Sequence, residues 1–464
     1  MKARNLFLLF LIVVMISFLP TQMAKGQDNP ENPVYIIQSG DTLGLIALRF
    51  GISIDDLINA NGITNPNAIT VGMDLVIPGL QGIQGTLITE TIPLGESLTS
   101  LTLRYGLTKE TLTRLNRIVT PGQIYAGSNL VLPQDENTNT DLQPFAALNS
   151  SQSLLELAAL KAINPWQVIL ENQKTSQWAT IPGETIYSKT SADSSQSIIS
   201  PNLLEISFGP LPLIQGSTAA IQLATTHPME INGSLGERKL QFFPVSENHY
   251  AAYQGIHALA DTGLVLLTLE GQSSEGLSFQ FEQNILLYAG YYGSESIIVD
   301  SSYIDPIITD PEDELIRLLV EQTTPTKYWE IPFLCPVDPP PCIRSWFGTR
   351  RSYNDGALHS FHSGVDYGVC STLNIYSPAA GTVVFSGPLE VRGNAVFIDH
   401  GWGVFSGIFH QSETNVTAGD YLEAGQLVGQ IGGTGRVTGP HLHYEIWVNG
   451  VRVQPLDWLD EYCQ

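Results

Sequence analysis

Basic residues are scarce in this chain: 21 Lys and Arg stand against 45 Asp and Glu, a formal net charge of −24. A nucleic-acid partner is therefore disfavoured, because neutralising phosphates needs a basic surface. The same surplus repels a polyanionic wall polymer at long range, and we read it as a solubility feature. Cysteine is nearly absent too, four in 464 residues and all in the last third. No two stand at the CxxC spacing, which argues against a cysteine zinc site. After the N-terminus no run is apolar enough to cross a bilayer, which takes about 20 residues as a helix.

The N-terminus holds the one long apolar run. Lys2 and Arg4 precede Leu6 to Leu19, and Ala24 and Gly26 flank Lys25. That is the layout of a secretory signal peptide over residues 1–26, and it predicts a secreted or cell-envelope protein with no other membrane segment. In an exported chain four cysteines predict two disulfides. Cys335 and Cys342 flank the stiff stretch PVDPPP. The expected pairing is therefore Cys335–Cys342, with Cys370 left to reach Cys463.

With 464 residues the chain has room for about three or four domains of ~100–150 residues each. A repeat follows the signal. SGDTLGLIALRFGISIDDLINAN (39–61) aligns without gaps to LGESLTSLTLRYGLTKETLTRLN (94–116), and more loosely to SSQSLLELAALKAINPWQVILEN (150–172). Leu43, Leu98 and Leu154 correspond, as do Asn61, Asn116 and Asn172. A fixed period of this kind indicates a tandem array of small modules.

Each module reads β-α-α-β. In the first, Asp41 or Thr42 can cap a helix whose Leu43, Ile46, Ala47 and Phe50 fall at i, i+3, i+4 and i+7. Gly51 stops that helix, Ser53 caps a second, and MDLVIP returns as a strand. The first copy resembles a LysM module. The resemblance implies modules at 34–79, 86–134 and, degenerate, 142–189, and binding of peptidoglycan or another N-acetylglucosamine-containing glycan. It places Gly40, Asp41 and Thr42 near the sugar. The second copy has Gly95, Glu96 and Ser97 in that turn, and the third has Ser151, Gln152 and Ser153.

A Ser-rich linker (189–200) leads to short alternating apolar runs such as LLEISF and LVLLTLE, which predict an antiparallel β-sandwich over 199–308. His227, His249 and His257 share no spacing there and read as ordinary residues. Acidic DPEDELIRLLVEQ (310–322) predicts a short helix.

Six of the nine histidines fall between 359 and 443. FHSGVDYG sets His362 and Asp366 four positions apart, and GPHLHYEI sets His441 and His443 two apart. On a strand, two-residue spacing puts both histidines on one face. Two imidazole nitrogens and a carboxylate oxygen form a standard donor set for catalytic zinc, leaving a fourth position for water. An HxH alone is a weak signal. The two motifs in this order, with His410 between them, are a strong one.

Together with FGTRR, SPAAGTVVFSG and GQLVGQIGG, these motifs resemble the lysostaphin-type zinc endopeptidases, which cut peptide bonds in peptidoglycan. The resemblance implies an antiparallel β-sheet metallopeptidase domain over 330–464 and one zinc per chain. His362, Asp366 and His443 would be its ligands, and His410 and His441 catalytic histidines. FHQSE stands where that family commonly has His-Leu-Ser, which leaves His410 intact. His359 is extra and reads as a surface residue or one just behind the ligands, with a ligand role the lesser reading, and His400 as structural or substrate-facing. The whole is a multidomain, mainly β protein, and its expected function is zinc-dependent hydrolysis of wall peptides. The alternative is a catalytically inactive wall-binding regulator of other wall hydrolases, against which every filled motif position speaks. Nothing in the pattern specifies an oligomeric state.

Overall fold

The computed structural model describes residues 32–463, apart from 39, 81, 121–122, 135–141, 148–152, 178–184, 190–201 and 299–303. The expected signal peptide, most of the Ser-rich linker, and Ser151 and Gln152 lie outside the described residues. The architecture is mainly β, as expected, with several antiparallel sheets and short helices. The chain divides into two compact units. One holds residues through Glu90 with Thr108–Ile118 and Val131–Asn139, and the other holds the rest.

In the first unit the opening module forms as its pattern predicts. Strand Val34–Ile36 pairs antiparallel with Asp74–Val76. Thr42, rather than Asp41, caps helix Leu43–Phe50: its hydroxyl accepts from the Leu45 amide, and Leu43, Ile46, Ala47 and Phe50 are buried. Gly51 ends the helix at φ 69°, a left-handed conformation that favours glycine. Ser53 caps Ile54–Asn61 through the Asp56 amide.

The repeated asparagine has a structural reason. Asn61 Nδ2 donates to the carbonyls of Leu57 and Val76, and its Oδ1 accepts from the Val76 amide. Asn116 makes the same three bonds with Leu112 and Val131. Asn172 makes them with Val168 and Tyr187. In each copy one side chain fastens the end of the second helix to the returning strand. It satisfies a late helical carbonyl and a strand amide and carbonyl together.

In the second unit the third copy keeps helices Leu154–Leu160 and Pro165–Glu171, with strands Gln143–Ala147 and Thr185–Ser188 paired antiparallel. The sandwich consists of a five-stranded and a four-stranded sheet over a core that includes Leu203, Ile221, Leu223, Leu267 and Ile285. Strand Ser294–Ile297 runs parallel to Arg350–Tyr353 of the C-terminal domain.

That domain is an antiparallel sheet in the order Ile343–Ser345, Val365–Tyr367, Leu442–Val448, Val404–Gln411, Gly393–Gly401, Gly381–Leu389, Tyr421–Leu422, with Val451–Val453 beside Leu442–Val448. Its central strands are buried along their whole length, and helix Pro306–Val320 packs Ile316 and Val320 against Phe397, Phe405, Phe409 and Trp447.

Both disulfides form, but the expected pairing is wrong. Cys335 joins Cys463 and Cys342 joins Cys370, with Cα separations of 5.4 and 6.0 Å. Strand pairing decides this. Ile343–Ser345 runs antiparallel to Val365–Tyr367, and the Gly368 amide donates to the Cys342 carbonyl, so Cys342 lies beside the 368–370 segment. Phe333 exchanges backbone bonds with Trp458 and Asp460, which sets Cys335 against the C-terminal tail. The proline stretch therefore carries the chain from one bridge to the other instead of closing a loop.

Candidate metal centre

Backbone register brings the two motifs together. Asp366 lies directly opposite His443 across the Val365–Tyr367 and Leu442–Val448 strands, and His443 lies opposite Phe409 on the other side. Gly364 is required by the approach: a Cβ there would collide with the Tyr444 carbonyl oxygen and crowd the His443 ring. His362 enters from the turn after Leu358–Phe361, where its amide donates to the Thr349 carbonyl.

His362 Nε2 lies 3.0 Å from Asp366 Oδ1 and 3.1 Å from His443 Nδ1, and His443 Nδ1 lies 2.7 Å from Asp366 Oδ1. Among the described residues these three alone form such a convergent group, with ligand atoms all within 4.8 Å of one another. Tetrahedral zinc with bonds of about 2.1 Å to N or O needs its ligand atoms about 3.4 Å apart, so the donor set fits once the three atoms spread by about 0.3–0.7 Å.

The outer partners set the tautomers that ligation needs. His362 Nδ1 donates to the Trp346 carbonyl at 3.0 Å, with Ser345 Oγ at 3.2 Å, which leaves the Nε2 lone pair facing inward. His443 Nε2 donates to Glu445 Oε1 at 3.2 Å, which leaves Nδ1 facing inward. Glu445 in turn accepts from Trp447 Nε1 at 2.8 Å and pairs with Arg452 at 3.3 Å.

The charges respond to this burial. Burial pushes the Asp366 carboxyl up, but its close contacts with the His362 and His443 rings outweigh it and hold it far below the usual carboxylate range. Burial lowers His362. Burial would lower His443 too, but the hydrogen bonds to Asp366 and Glu445 override it and raise the ring to about 9. Binding a metal at Nδ1 therefore displaces a proton.

His410 and His441 stand beside this group, with ring centroids 4.9 Å apart. His441 Nδ1 donates to the Gly439 carbonyl at 2.9 Å, and its Nε2 lies 3.7 Å from Asp366 Oδ1. His410 Nδ1 donates to the Thr434 carbonyl at 2.9 Å. Each thus keeps an Nε2 lone pair free of backbone. Burial, with the charge of His443 next, lowers His410 to about 3, so it is a neutral base at ordinary pH. Its φ of 62° is in the left-handed region, unusual for a residue other than glycine and found at functional sites.

His359 lies on Leu358–Phe361 opposite Ser352, outside the metal group. His400 is fully buried between the Ala380 carbonyl and Ser406 Oγ, both at 2.8 Å, which is a structural position. Sequence reading missed Glu445. Its signal was the two-residue spacing that continues from His441 and His443 along the same strand face. In the first module Asp41 accepts from Tyr35 Oη and the Gln38 amide at 2.7 and 2.8 Å, so its carboxylate ties the turn together.

Fold and site together resemble those of a metallopeptidase domain preceded by LysM modules. Residues 360–455 match the model of Peptidase family M23, and residues 35–78 and 91–133 match the LysM domain. The C-terminal domain is thus similar to that peptidase family, and the first two modules to LysM domains. The chain is 36% identical over 113 residues to the peptidoglycan DD-endopeptidase ShyC of Vibrio cholerae serotype O1, which covers 24% of this chain and 26% of that protein. It is 39% identical over 116 residues to the DD-carboxypeptidase/endopeptidase Mpg of Neisseria meningitidis serogroup B, covering 25% and 26%. The match thus spans about a quarter of these curated relatives. The catalytic domain of lysostaphin from Staphylococcus simulans is 30% identical, covering 22% of this chain and 80% of that one, with a TM-score of 0.20.

Proposed function

We propose that this protein is an exported, zinc-dependent peptidoglycan hydrolase that cleaves peptide bonds of the cell wall. The observation that carries the reading is the convergence of His362, Asp366 and His443 beside His410 and His441, whose Nε2 atoms are turned away from backbone partners.

Zinc, when bound, lowers the pKa of a water to about 7 and polarises a carbonyl. His362, Asp366 and His443 hold it. Of the two remaining histidines, one takes the proton of the attacking water at Nε2 and passes it to the leaving amine. The other stabilises the negative charge developing on the scissile carbonyl oxygen. The LysM domains hold the enzyme on wall glycan and so raise the local concentration of peptide. We assign the signal peptide to 1–26, the three modules to 34–79, 86–134 and 142–189, the sandwich to 199–308 and the peptidase domain to 330–464. The glycan contacts of the first module are assigned to the Gly40-Asp41-Thr42 turn, through groups other than the internally bonded Asp41 carboxylate.

The test is digestion of purified, insoluble peptidoglycan by the chain from residue 27 onward, with zinc content measured and released fragments weighed by mass spectrometry. One zinc per chain and new amino and carboxyl termini, both abolished by chelator, are expected. Zinc binding without any cleaved bond would instead support the wall-binding regulator.

A further inference from the structure

Glu312 lies in helix Pro306–Val320, well before the 360–455 segment matched by the peptidase family, yet its carboxylate reaches the catalytic side of the sheet. It accepts from the Val391 amide at 2.8 Å, from the Arg392 amide at 3.2 Å and from Arg392 Nη1 at 2.6 Å. Ile316 and Val320 follow at four-residue intervals on the same face, and both are buried in the apolar cluster with Phe409. The helix is thus fixed by apolar contact, and Glu312 is carried on it to one turn of backbone.

That turn supports His410. The Arg392 carbonyl accepts the His410 amide at 2.9 Å, and the Val391 carbonyl accepts the Arg436 amide at 2.8 Å. The loop containing Arg436 also contains Thr434, whose carbonyl holds His410 Nδ1. The next residue, Gly393, has φ 63°, and a Cβ there would collide with Thr434. The Arg392 guanidinium lies 5.7 Å from the Phe409 ring, which stacks on His443 at 5.6 Å and 12°. A left-handed His410 persists only where its surroundings impose it. The surroundings that impose it here are the backbone of residues 391–392 and 434, and Glu312 holds the first of these.

We propose that Glu312 is a positioning residue for His410, and that helix Pro306–Val320 belongs to the working peptidase unit. The kinetic part of this proposal rests on the function proposed above. The test uses Glu312→Gln in the full chain, alone and combined with His410→Ala. Expected is a kcat lower by about 10- to 100-fold with KM and zinc content unchanged, the scale of loss for a misplaced catalytic group. In the His410→Ala background the same change should cost nothing further, because its effect passes through His410. Independently of activity, hydrogen exchange should quicken at the amides of residues 391, 392 and 410 but not in strand Leu442–Val448. If Glu312→Gln unfolds, Glu312→Gln/Arg392→Met, which leaves neither of the pair charged, replaces it with the same expectations. Unchanged exchange at residue 410, or an equal loss of activity with and without His410, overturns the proposal. A wild-type chain that cleaves nothing overturns the proposed function instead, and the exchange result still decides the positioning role.

Discussion

Asp366 and His443 are register partners on adjacent antiparallel strands, and their side chains meet at 2.7 Å between Oδ1 and Nδ1. Two ligands of the candidate centre are thus placed by the same backbone hydrogen bonds that build the sheet. The third, His362, comes from the turn that feeds one of those strands. A preformed site of this kind needs little rearrangement to take up a metal.

His443→Ala removes one of three ligands and leaves an acidic pocket. It is expected to lose zinc and hydrolysis together. Metal analysis after dialysis, alongside peptide release from purified wall, checks this, and stoichiometric zinc in the variant would reject the ligand assignment.

His410→Ala and His441→Ala are expected to keep zinc and to lose about 10²- to 10⁴-fold in turnover, the range of general acid–base contributions. Both rings lie beside the ligand group, and each is held by a backbone carbonyl at 2.9 Å. Loss of zinc in either variant would mean that ligand and catalytic roles are exchanged.

Glu445→Ala removes the acceptor of the His443 Nε2 proton and unpairs the Trp447 and Arg452 donors. Zinc affinity is expected to fall by about 10- to 100-fold, the usual cost of losing a partner that orients a ligand. Competition against a chromophoric chelator measures it. Unchanged affinity would show that the strand alone orients the ring.

The site was legible because its chemistry is carried by short motifs: HxxxD and HxH name the converging residues, and strand periodicity places His441 and His443 on one face. The modules were legible from helix periodicity and caps, down to Ser53. The disulfides were not, because their pairing depends on which strands lie side by side, and sequence proximity favoured Cys335–Cys342. Glu312 was read only as part of an acidic helix. Its role rests on a contact with a turn about eighty residues away, which no local pattern encodes.

The asparagine shared by all three modules predicts a local stability effect. Asn172→Ala removes three hydrogen bonds from a buried site and leaves the Tyr187 amide and carbonyl without that partner. At about 1–3 kcal/mol for each buried backbone group so exposed, the third module should open while the peptidase domain stays folded. Limited proteolysis within 142–189, with zinc content unchanged, is the expected readout. A variant as resistant as the wild type would show that the asparagine is dispensable.

His400 gives the protein a stability that depends on pH. It is fully buried, and burial lowers its ring from the ordinary 6.5 to about 4, the Ala380 carbonyl opposing this only in part. The unfolded chain therefore binds a proton that the folded chain refuses between those two values. Stability from this group is complete above pH 6.5 and is lost as pH falls toward 4, by about 3 kcal/mol in all. Urea unfolding of metal-free protein at pH 7.5 and 4.5 measures the loss, and His400→Asn supplies the comparison in which every other titrating group is retained. The variant should be less stable at pH 7.5, because the bonds to Ala380 and Ser406 are changed, yet it should lose about 2–3 kcal/mol less than the wild type on acidification. Equal losses in the two proteins would mean that the folded state accepts the His400 proton, and that the ring is not held neutral by its burial.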